Sequence, residues 1–169
     1  MQLDVSRGHV GRHYLVTGAD GGIGAMTADV LTQAGAEVIR AGIGDQVDIR
    51  ADLGTPAGRA AFAAQANHLA DGWLDGVALV AGIGDPSPTT VSVNYFGTLA
   101  ALTNLRPLLM ASPAARAVIV SSASSLSAGD PDLIRAALAG DEPAAIVAAE
   151  RAIRSGRGAI IYRSTKIAL

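Results

Sequence analysis

The sequence predicts a doubly wound α/β fold, in which helices cover both faces of a mostly parallel sheet of about five strands. Three observations predict it. Short strand patterns alternate with helix patterns, a glycine-rich turn follows the first strand, and one strand pattern is apolar on both faces. Because no linker or internal repeat interrupts the pattern, we expect a single domain over residues 1–169, although its final strands would be missing.

The first elements predict a β-α-β unit. Residues 14–17 form a short apolar strand, a helix follows the glycine-rich turn, and residues 36–41 form a second strand after Gly35 ends that helix. The right-handed crossover makes these two strands parallel. The helix is expected to bury one apolar face, which consists of Ile23, Met26, Val30, Leu31 and Ala34.

The next elements continue the alternation. A short third strand lies around residues 47–49, and Thr55 caps a helix that has Pro56 at its first position and buries Phe62 and Leu69. Residues 74–80 are almost continuously apolar, which is typical of a strand covered on both faces.

A long helix is predicted over residues 91–110, with Pro107 ending or kinking its last turn. Residues 117–121 form a fifth buried strand. The inward face of the helix is expected to consist of Val93, Phe96, Leu99, Leu102 and Leu105.

An alanine-rich segment at about residues 127–158 contains two helical patterns, which are broken at residues 140–143. We interpret it as a helical insertion within the same domain. It is more apolar than a free loop would tolerate, so we expect it to pack on a partner subunit or over a substrate opening. The apolar residues concerned are Ile134, Leu138, Ile146, Val147 and Ile153.

The composition argues against several kinds of site. The net charge is −2 without any run of Lys or Arg, so we expect no nucleic-acid partner. Cysteine is absent and the three histidines lack ligand spacing, so we expect no metal. No apolar run is long enough to cross a bilayer, and the N-terminus lacks a signal-peptide core. We therefore expect a soluble cytoplasmic protein.

The segment TGADGGIG, residues 17–24, stands between a strand and a helix, as a dinucleotide site requires. Gly18 allows the sharp turn, Gly22 removes bulk where a pyrophosphate approaches, and Gly24 lets the helix pack closely. The N–H groups and dipole at the helix N-terminus attract the phosphates. An ordinary glycine-rich turn is the alternative, because this spacing arises by chance in a chain with 20 glycines.

Two further groups of polar side chains indicate proton chemistry. Tyr162 and Lys166 share one helix face, where an ammonium favours the phenolate and makes the tyrosine a proton-transfer group. Ser122 follows a strand at the sheet edge where ligands bind, and its hydroxyl can donate to a substrate carbonyl. A surface Tyr/Lys pair and serines that only cap the strand end are the structural alternatives.

In this order, the motifs resemble those of the short-chain dehydrogenase/reductase family. Residues 17–24 resemble the family's TGxxxGxG motif, and Tyr162 with Lys166 resembles its YxxxK motif. Ser122 matches the second serine of the family's strand-end pair, and Asn94 matches its helix asparagine. The segments VSVNYFG, ADLGTPAGR and LDGVALVAGIG, together with the insertion, further resemble a subgroup, the bacterial 3α-hydroxysteroid dehydrogenases/carbonyl reductases.

The resemblance implies hydride transfer between NAD or NADP and a secondary alcohol or ketone, such as a 3α-hydroxysteroid. It also implies a homo-oligomer in the full-length form. Tyr162 would act as acid and base, Lys166 would favour its phenolate and hold the nicotinamide ribose, Ser122 would orient the carbonyl, and Asn94 would position a water. The implied cofactor-binding residues are Gly18, Asp20, Gly22, Ile23, Gly24, Gly42, Asp52, Leu53, Ala81, Gly82, Tyr162 and Lys166.

Two features depart from the family. Gly42 stands at the end of the second strand, where an acidic side chain would bind the NAD ribose. Arg40 would suit a 2′-phosphate, whereas Asp45 and the subgroup favour NAD, so NAD is favoured and NADP stays open. The sequence also ends at Leu169, before the family's last strands.

From that end we expect a fragment or a truncated protein, with an uncovered sheet edge. An inactive nucleotide-binding remnant is therefore the alternative function. A sugar-nucleotide epimerase shares the fold and the Tyr/Lys pair, but the TGxxxGxG spacing and the short chain argue against it.

Overall fold

The computed structural model describes residues 8–169, so the first seven residues of the predicted polar leader lie outside the described part. The chain divides into two compact units. The first comprises the residues up to 52 together with residues 60–81 and 101–120, and the second comprises residues 53–59, 82–100 and 121–169.

The first unit contains a five-stranded parallel sheet in the order β3-β2-β1-β4-β5. The strand order reverses between β1 and β4, and their carboxyl ends form the edge at which open α/β sheets bind ligands. The predicted Rossmann sheet is therefore confirmed. Its strands are β1 (His13–Thr17), β2 (Glu37–Gly42), β3 (Ile49–Arg50), β4 (Gly76–Leu79) and β5 (Arg116–Ile119).

Helix α1, Gly22–Gln33, packs on β1 and β2 through its smallest residues. Gly24 and Ala28, one turn apart, are its buried residues. Because these two small residues allow the helix to approach the sheet closely, the large apolar residues beside them point outward. The predicted inward face was therefore wrong for three residues, which are 64%, 69% and 45% exposed: Ile23, Met26 and Val30.

Helix α2, Pro56–Leu69, begins where the sequence predicts, and Thr55 Oγ1 accepts a hydrogen bond from Gly58 N at 3.0 Å. Phe62 is buried as predicted, but Leu69 is 43% exposed, contrary to prediction. Positions 66 and 70, both alanine, continue the buried stripe that Phe62 begins, and they turn Leu69 away from the core.

Strand β5 is an edge strand and not the buried strand that the sequence predicted. Among residues 8–169 it pairs only with β4, and its first three residues, Arg116 to Val118, are exposed.

The helix predicted over residues 91–110 consists of three pieces: α3 (Pro88–Val91), a π-helical segment (Ser92–Gly97) and α4 (Thr98–Met110). The wider π turn changes which side chains share a face, so Leu99 is 44% exposed although the helical period places it inward. Pro107 lies inside α4, which continues to Met110.

The second unit is helical. Besides α3 and the π segment, it contains a 3₁₀ turn (Ala123–Leu126), α5 (Pro131–Leu138), α6 (Glu142–Arg154) and α7 (Ile160–Ala168). Helices α5 and α6 confirm the two helices predicted for the insertion. Their buried faces pack with the π segment and α7 in one core of Val91, Tyr95, Phe96, Leu133, Ala137, Ala145, Ala148, Ala149, Ala152 and Ile161.

Most of the insertion's own contribution to this core is alanine, whereas Leu138, Val147 and Ile153 are exposed. Its packing on a partner or over a substrate opening stays a prediction, as does the single domain.

Candidate functional site

The glycine-rich loop is a tight turn between β1 and α1 in the first unit. Gly18 has a φ of +67°, and a Cβ there would lie 2.9 Å from Ala81 Cα, so the turn requires glycine. A Cβ on Gly24 would overlap the carbonyl oxygen of Gly18. Gly24 thus allows the helix to approach the loop's own backbone.

The outer side of the same loop is open. In the part of the chain that the structure describes, no heavy atom other than those of the adjoining backbone lies within 4 Å of where a Cβ on Gly21 or Gly22 would stand. Gly21 is the N-cap of α1, no side chain caps this 12-residue helix, and its first turn holds no acidic residue. The helix therefore presents its first N–H groups and positive dipole end to any anion there, an arrangement that fits the pyrophosphate of a dinucleotide.

Thr17 joins the carboxyl ends of β1 and β4, a role that sequence reasoning missed. It is 2% exposed, and its Oγ1 accepts hydrogen bonds from Val80 N at 3.0 Å and Ala81 N at 3.1 Å. These bonds hold Ala81 against Gly18. The signal was the hydroxyl residue that opens the TGADGGIG motif.

The carboxylate of Asp20 lies at the end of β2. Its Oδ2 accepts hydrogen bonds from Ile43 N at 2.9 Å and Gly44 N at 2.8 Å. A Cβ on Gly42 would stand 2.6 Å from both Cγ and Oδ1 of Asp20. Burial by itself would raise the pKa of Asp20, but the backbone hydrogen bonds lower it overall, which keeps the carboxylate charged.

Both charged residues considered for cofactor preference are ion-paired. Arg40 Nη2 donates to Asp29 Oδ1 at 2.7 Å, and Arg50 Nη1 donates to Asp45 Oδ1 at 2.6 Å.

The two residues predicted to contact the adenine differ in exposure. Asp52 is exposed, whereas Leu53 is buried in the second unit. The Cβ of Leu53 lies 2.9 Å from where a Cβ on Gly97 would stand, and its carbonyl accepts a hydrogen bond from Arg59 Nε at 2.7 Å. These contacts pack Leu53 against the π segment, and its contact with adenine stays a prediction.

Asn94 lies in the π segment and is fully buried. Its Oδ1 accepts a hydrogen bond from Ile83 N at 2.8 Å, and its Nδ2 donates to Ile83 O at 2.9 Å and to Thr165 Oγ1 at 3.3 Å. Thr165, which sequence reasoning missed, is itself fully buried and lies between the two residues of the predicted pair, where its polarity was the available signal. One amide thus joins the π segment, the loop after Gly82 and α7.

Tyr162 and Lys166 both lie on α7, with Lys166 Nζ 5.8 Å from the centre of the Tyr162 ring. Lys166 is only 5% exposed, and burial lowers its pKa. A Cβ on Gly82 would stand 3.3 Å from Asn94 Oδ1 and 3.7 Å from Lys166 Nζ. The second unit therefore brings Gly82, Asn94, Tyr162 and Lys166 together.

Ser122 begins the 3₁₀ turn, which packs against α7. Its Oγ accepts a hydrogen bond from Ser124 N at 3.1 Å, so the capping role considered above holds for this serine. Accepting that bond leaves the hydroxyl proton of Ser122 for another acceptor, such as a carbonyl oxygen.

Within residues 8–169, no three His, Asp or Glu side chains are grouped so that they could hold a metal ion. No helix in that part of the chain is long and apolar enough to cross a membrane. The absence of a metal, the absence of a nucleic-acid partner and the cytoplasmic location stay predictions.

Comparison with known proteins identified two close relatives, although no protein-family model matches the sequence. The chain is 35% identical over 160 residues to the 3-alpha-hydroxysteroid dehydrogenase/carbonyl reductase of Comamonas testosteroni, covering 92% of this chain. It spans only 62% of that curated relative's length. The 3-alpha-hydroxysteroid dehydrogenase of Pseudomonas sp. B-0831, solved with NADH, gives a TM-score of 0.85 at 38% identity, covering 92% of this chain and 67% of that one.

A more distant structure is also similar. RhlG of Pseudomonas aeruginosa, solved with NADP, gives a TM-score of 0.62 at 25% identity, covering 89% of this chain and 68% of that one.

Proposed function

The chain belongs to the short-chain dehydrogenase/reductase family, and from that membership we propose that it binds a nicotinamide dinucleotide and takes part in hydride transfer to or from a secondary alcohol or ketone. The observation that carries this proposal is the position of Lys166 Nζ. Lys166 is almost fully buried, and its Nζ lies 5.8 Å from the centre of the Tyr162 ring. Lys166 Nζ and Asn94 Oδ1 both lie within 4 Å of where a Cβ on Gly82 would stand. A buried amine beside a phenol is suited to proton transfer.

The chain's own residues fit such a cofactor. In the first unit, the open face of Gly22 and the uncapped N-terminus of α1 would receive the pyrophosphate. In the second unit, the family resemblance assigns the nicotinamide ribose to Lys166. When bound, the nicotinamide ring supplies or accepts the hydride. The remaining residues proposed to line the nucleotide are Gly18, Asp20, Ile23, Gly24, Gly42, Asp52, Leu53, Ala81, Gly82 and Tyr162.

Tyr162 is proposed to move the proton that accompanies the hydride. In reduction its hydroxyl protonates the carbonyl oxygen, and in oxidation its phenolate takes the proton of the alcohol. Lys166 Nζ lies beside the Tyr162 ring, and burial lowers the pKa of this amine. Ser122 would donate to the carbonyl, and Asn94 would position a water that relays protons.

The names of the two close relatives support a 3α-hydroxysteroid or another carbonyl compound as the substrate. Pocket shape decides which one, and the fold alone does not imply a substrate. The alternative, a chain that holds the cofactor without turnover, is separated from this proposal by measuring binding and catalysis on the same protein.

The test titrates the purified chain with NADH and NADPH, following cofactor fluorescence, and then assays NAD- and NADP-dependent oxidation of 3α-hydroxysteroids and simple secondary alcohols. Tyr162→Phe removes the transferable proton and keeps the ring. Because the ring that lines the nucleotide stays, we expect this variant to bind cofactor with only a small loss of affinity and to lose about 10²-fold or more in kcat.

Tyr14→Phe is the matched control, because Tyr14 lies in β1, where its hydroxyl bonds to His9. It should retain both binding and turnover. Cofactor binding without turnover would support the inactive alternative, and a failure to bind either dinucleotide would contradict the proposal.

A further inference from the structure

The end of β2 carries a negative charge that β2 itself does not supply. In dinucleotide-binding folds, an acidic side chain at this strand end accepts a hydrogen bond from the 2′-hydroxyl of the adenosine ribose. Here the strand ends at Gly42, which has no side chain. The Asp20 carboxylate fills the vacant place, with Cγ and Oδ1 each 2.6 Å from where the Cβ of residue 42 would stand.

The carboxylate is held there and faces outward. Ile43 N and Gly44 N, at 2.9 Å and 2.8 Å, both donate to Oδ2, so these two bonds leave Oδ1 for a further donor. Asp20 is an exposed residue, and the hydrogen bonds that fix its carboxylate also keep it charged at neutral pH by lowering its pKa.

Three other charged groups near this strand end have contacts of their own: Asp48 Oδ2 accepts a hydrogen bond from Arg40 N at 2.8 Å, and the side chains of Arg40 and Asp45 are ion-paired. Arg40, which would suit a 2′-phosphate, donates to Asp29 at 2.7 Å. Asp45, the nearest acid after Gly42 in the sequence, accepts from Arg50 at 2.6 Å. Of these groups, the Asp20 carboxylate alone lies against Gly42 itself.

We propose that Asp20, from the glycine-rich loop, is the residue that accepts the 2′-hydroxyl of the adenosine ribose and makes the site select NAD over NADP. This inference rests on the proposed function. The ribose hydroxyl donates to Oδ1 of Asp20, whereas the phosphate of NADP would place negative charge beside that carboxylate, and like charges in such contact oppose binding strongly. The acidic group thus comes from the glycine-rich loop and not from β2. The carboxylate fits at the strand end because Gly42 has no side chain.

The test compares the dissociation constants of NADH and NADPH, two ligands that differ only in the 2′-phosphate, by fluorescence titration. We expect the unaltered chain to bind NADH more tightly. Asp20→Asn keeps a carbonyl oxygen for Ile43 and Gly44 but removes the charge, and it should lower the ratio of the NADPH constant to the NADH constant by about tenfold or more. Asp45→Asn, the matched control in the same region, should leave the ratio unchanged.

A paired variant tests the position of the charge. Asp20→Ala should lose the selectivity, and adding Gly42→Asp to it returns a carboxylate to the strand end and should restore the preference for NADH. Thermal unfolding without cofactor checks that each variant is folded. In Gly42→Asp alone the added Cβ would displace the Asp20 carboxylate from Ile43 and Gly44, so we expect this variant to be less stable than the pair.

The outcomes separate the two proposals. Binding of both cofactors with a ratio that Asp20→Asn does not change, or a preference of the unaltered chain for NADPH, overturns the role of Asp20 and leaves the proposed function standing. If the chain binds neither cofactor, the proposed function is overturned, and the proposed role of Asp20 is overturned as well.

Discussion

The side chain of Asn94 and the backbone of Ile83 form a closed pair of hydrogen bonds, in which Ile83 N donates to Oδ1 and Nδ2 donates to Ile83 O. These two bonds resemble those between paired residues of neighbouring β-strands, although one partner is a side chain on the π segment. Because Asn94 is fully buried, its amide satisfies these backbone groups from inside the core. The same residue that resembles the family's helix asparagine is thus a structural tie within the second unit.

Replacing this amide should destabilise the chain. Asn94→Leu keeps a similar volume but leaves the N–H and C=O of Ile83 without their partner, so we expect the free energy of unfolding to fall by about 2–3 kcal/mol. Urea denaturation measures it. Asn67→Leu is the control, because Asn67 is exposed on α2 and its Nδ2 donates to Ala63 O in the preceding helical turn. An equal loss in both variants would contradict the structural role of Asn94.

Gly24 should not tolerate even one added methyl group. In Gly24→Ala the Cβ would overlap the carbonyl oxygen of Gly18, which is rigid backbone, so we expect a loss of about 3 kcal/mol or more in the free energy of unfolding. Gly84→Ala is the matched control, since no atom of another described residue apart from its chain neighbours lies within 4 Å of its Cβ position. Thermal unfolding compares the two, and a Gly24→Ala melting temperature as high as that of the control would contradict the close approach.

The strands and the glycine-rich turn could be predicted because their signals are local. Strand β4 shows continuous apolar character, and Gly18 and Gly35 mark the ends of neighbouring elements in the sequence itself. The face of α1 could not be predicted by the same reasoning, because the residues that pack on the sheet are Gly24 and Ala28, the smallest in the helix. The buried face of α1 is the one that lets the helix approach the sheet most closely. A pattern of large apolar residues does not predict that face.

The candidate site also has one part that the sequence predicted and one part that it could not predict. The spacing of Tyr162 and Lys166 predicted their shared helix face, which the structure contains. The π segment around Asn94 was not predictable, because its bulge shifts the period that sequence patterns rely on. The contact of Asp20 with the end of β2 joins residues 22 positions apart and depends on a side chain that Gly42 lacks, so only the structure shows it.

Acid should weaken the first unit through Asp75. This residue is 5% exposed, and its carboxylate accepts hydrogen bonds from His13 N at 3.0 Å, Ser112 Oγ at 2.9 Å and Arg12 Nη1 at 2.9 Å. Burial by itself would raise its pKa, but these bonds and the Arg12 charge lower it below the ordinary value of 3.8. Its stabilisation is therefore complete above that value and is lost as the pH falls through the lower, folded pKa.

Asp75→Asn should lower the free energy of unfolding by about 1–3 kcal/mol at pH 6, and the difference from the unaltered chain should shrink as the pH falls below about 4. Denaturation at several pH values measures both. Asp71→Asn is the control, because Asp71 is exposed and its φ of +47° suits asparagine equally well. A difference that grows towards acid pH would contradict the assignment to Asp75.

Glu142, at the start of α6, should matter more than its partly exposed position suggests. Arg59 donates to both of its carboxylate oxygens at 2.7 Å, and the same guanidinium donates to Ser92 O at 3.0 Å, where the π segment begins. The hydrogen bond from Arg59 lowers the pKa of Glu142. Glu142 thus fixes the Arg59 guanidinium, which in turn holds the π segment that carries Asn94.

The amide of Glu142→Gln can keep only one of the two hydrogen bonds in this bidentate contact, so we expect a loss of about 1–3 kcal/mol in the free energy of unfolding. Glu150→Gln, also on α6, is the matched control. Its ion pair with Arg154 spans 3.7 Å between side chains that are 68% and 47% exposed, so its loss should cost no more than about 0.5 kcal/mol. The larger effect should persist in 1 M salt, since the Arg59 side chain is only 13% exposed. Equal effects of both substitutions in urea denaturation would show that Arg59 holds the π segment without Glu142.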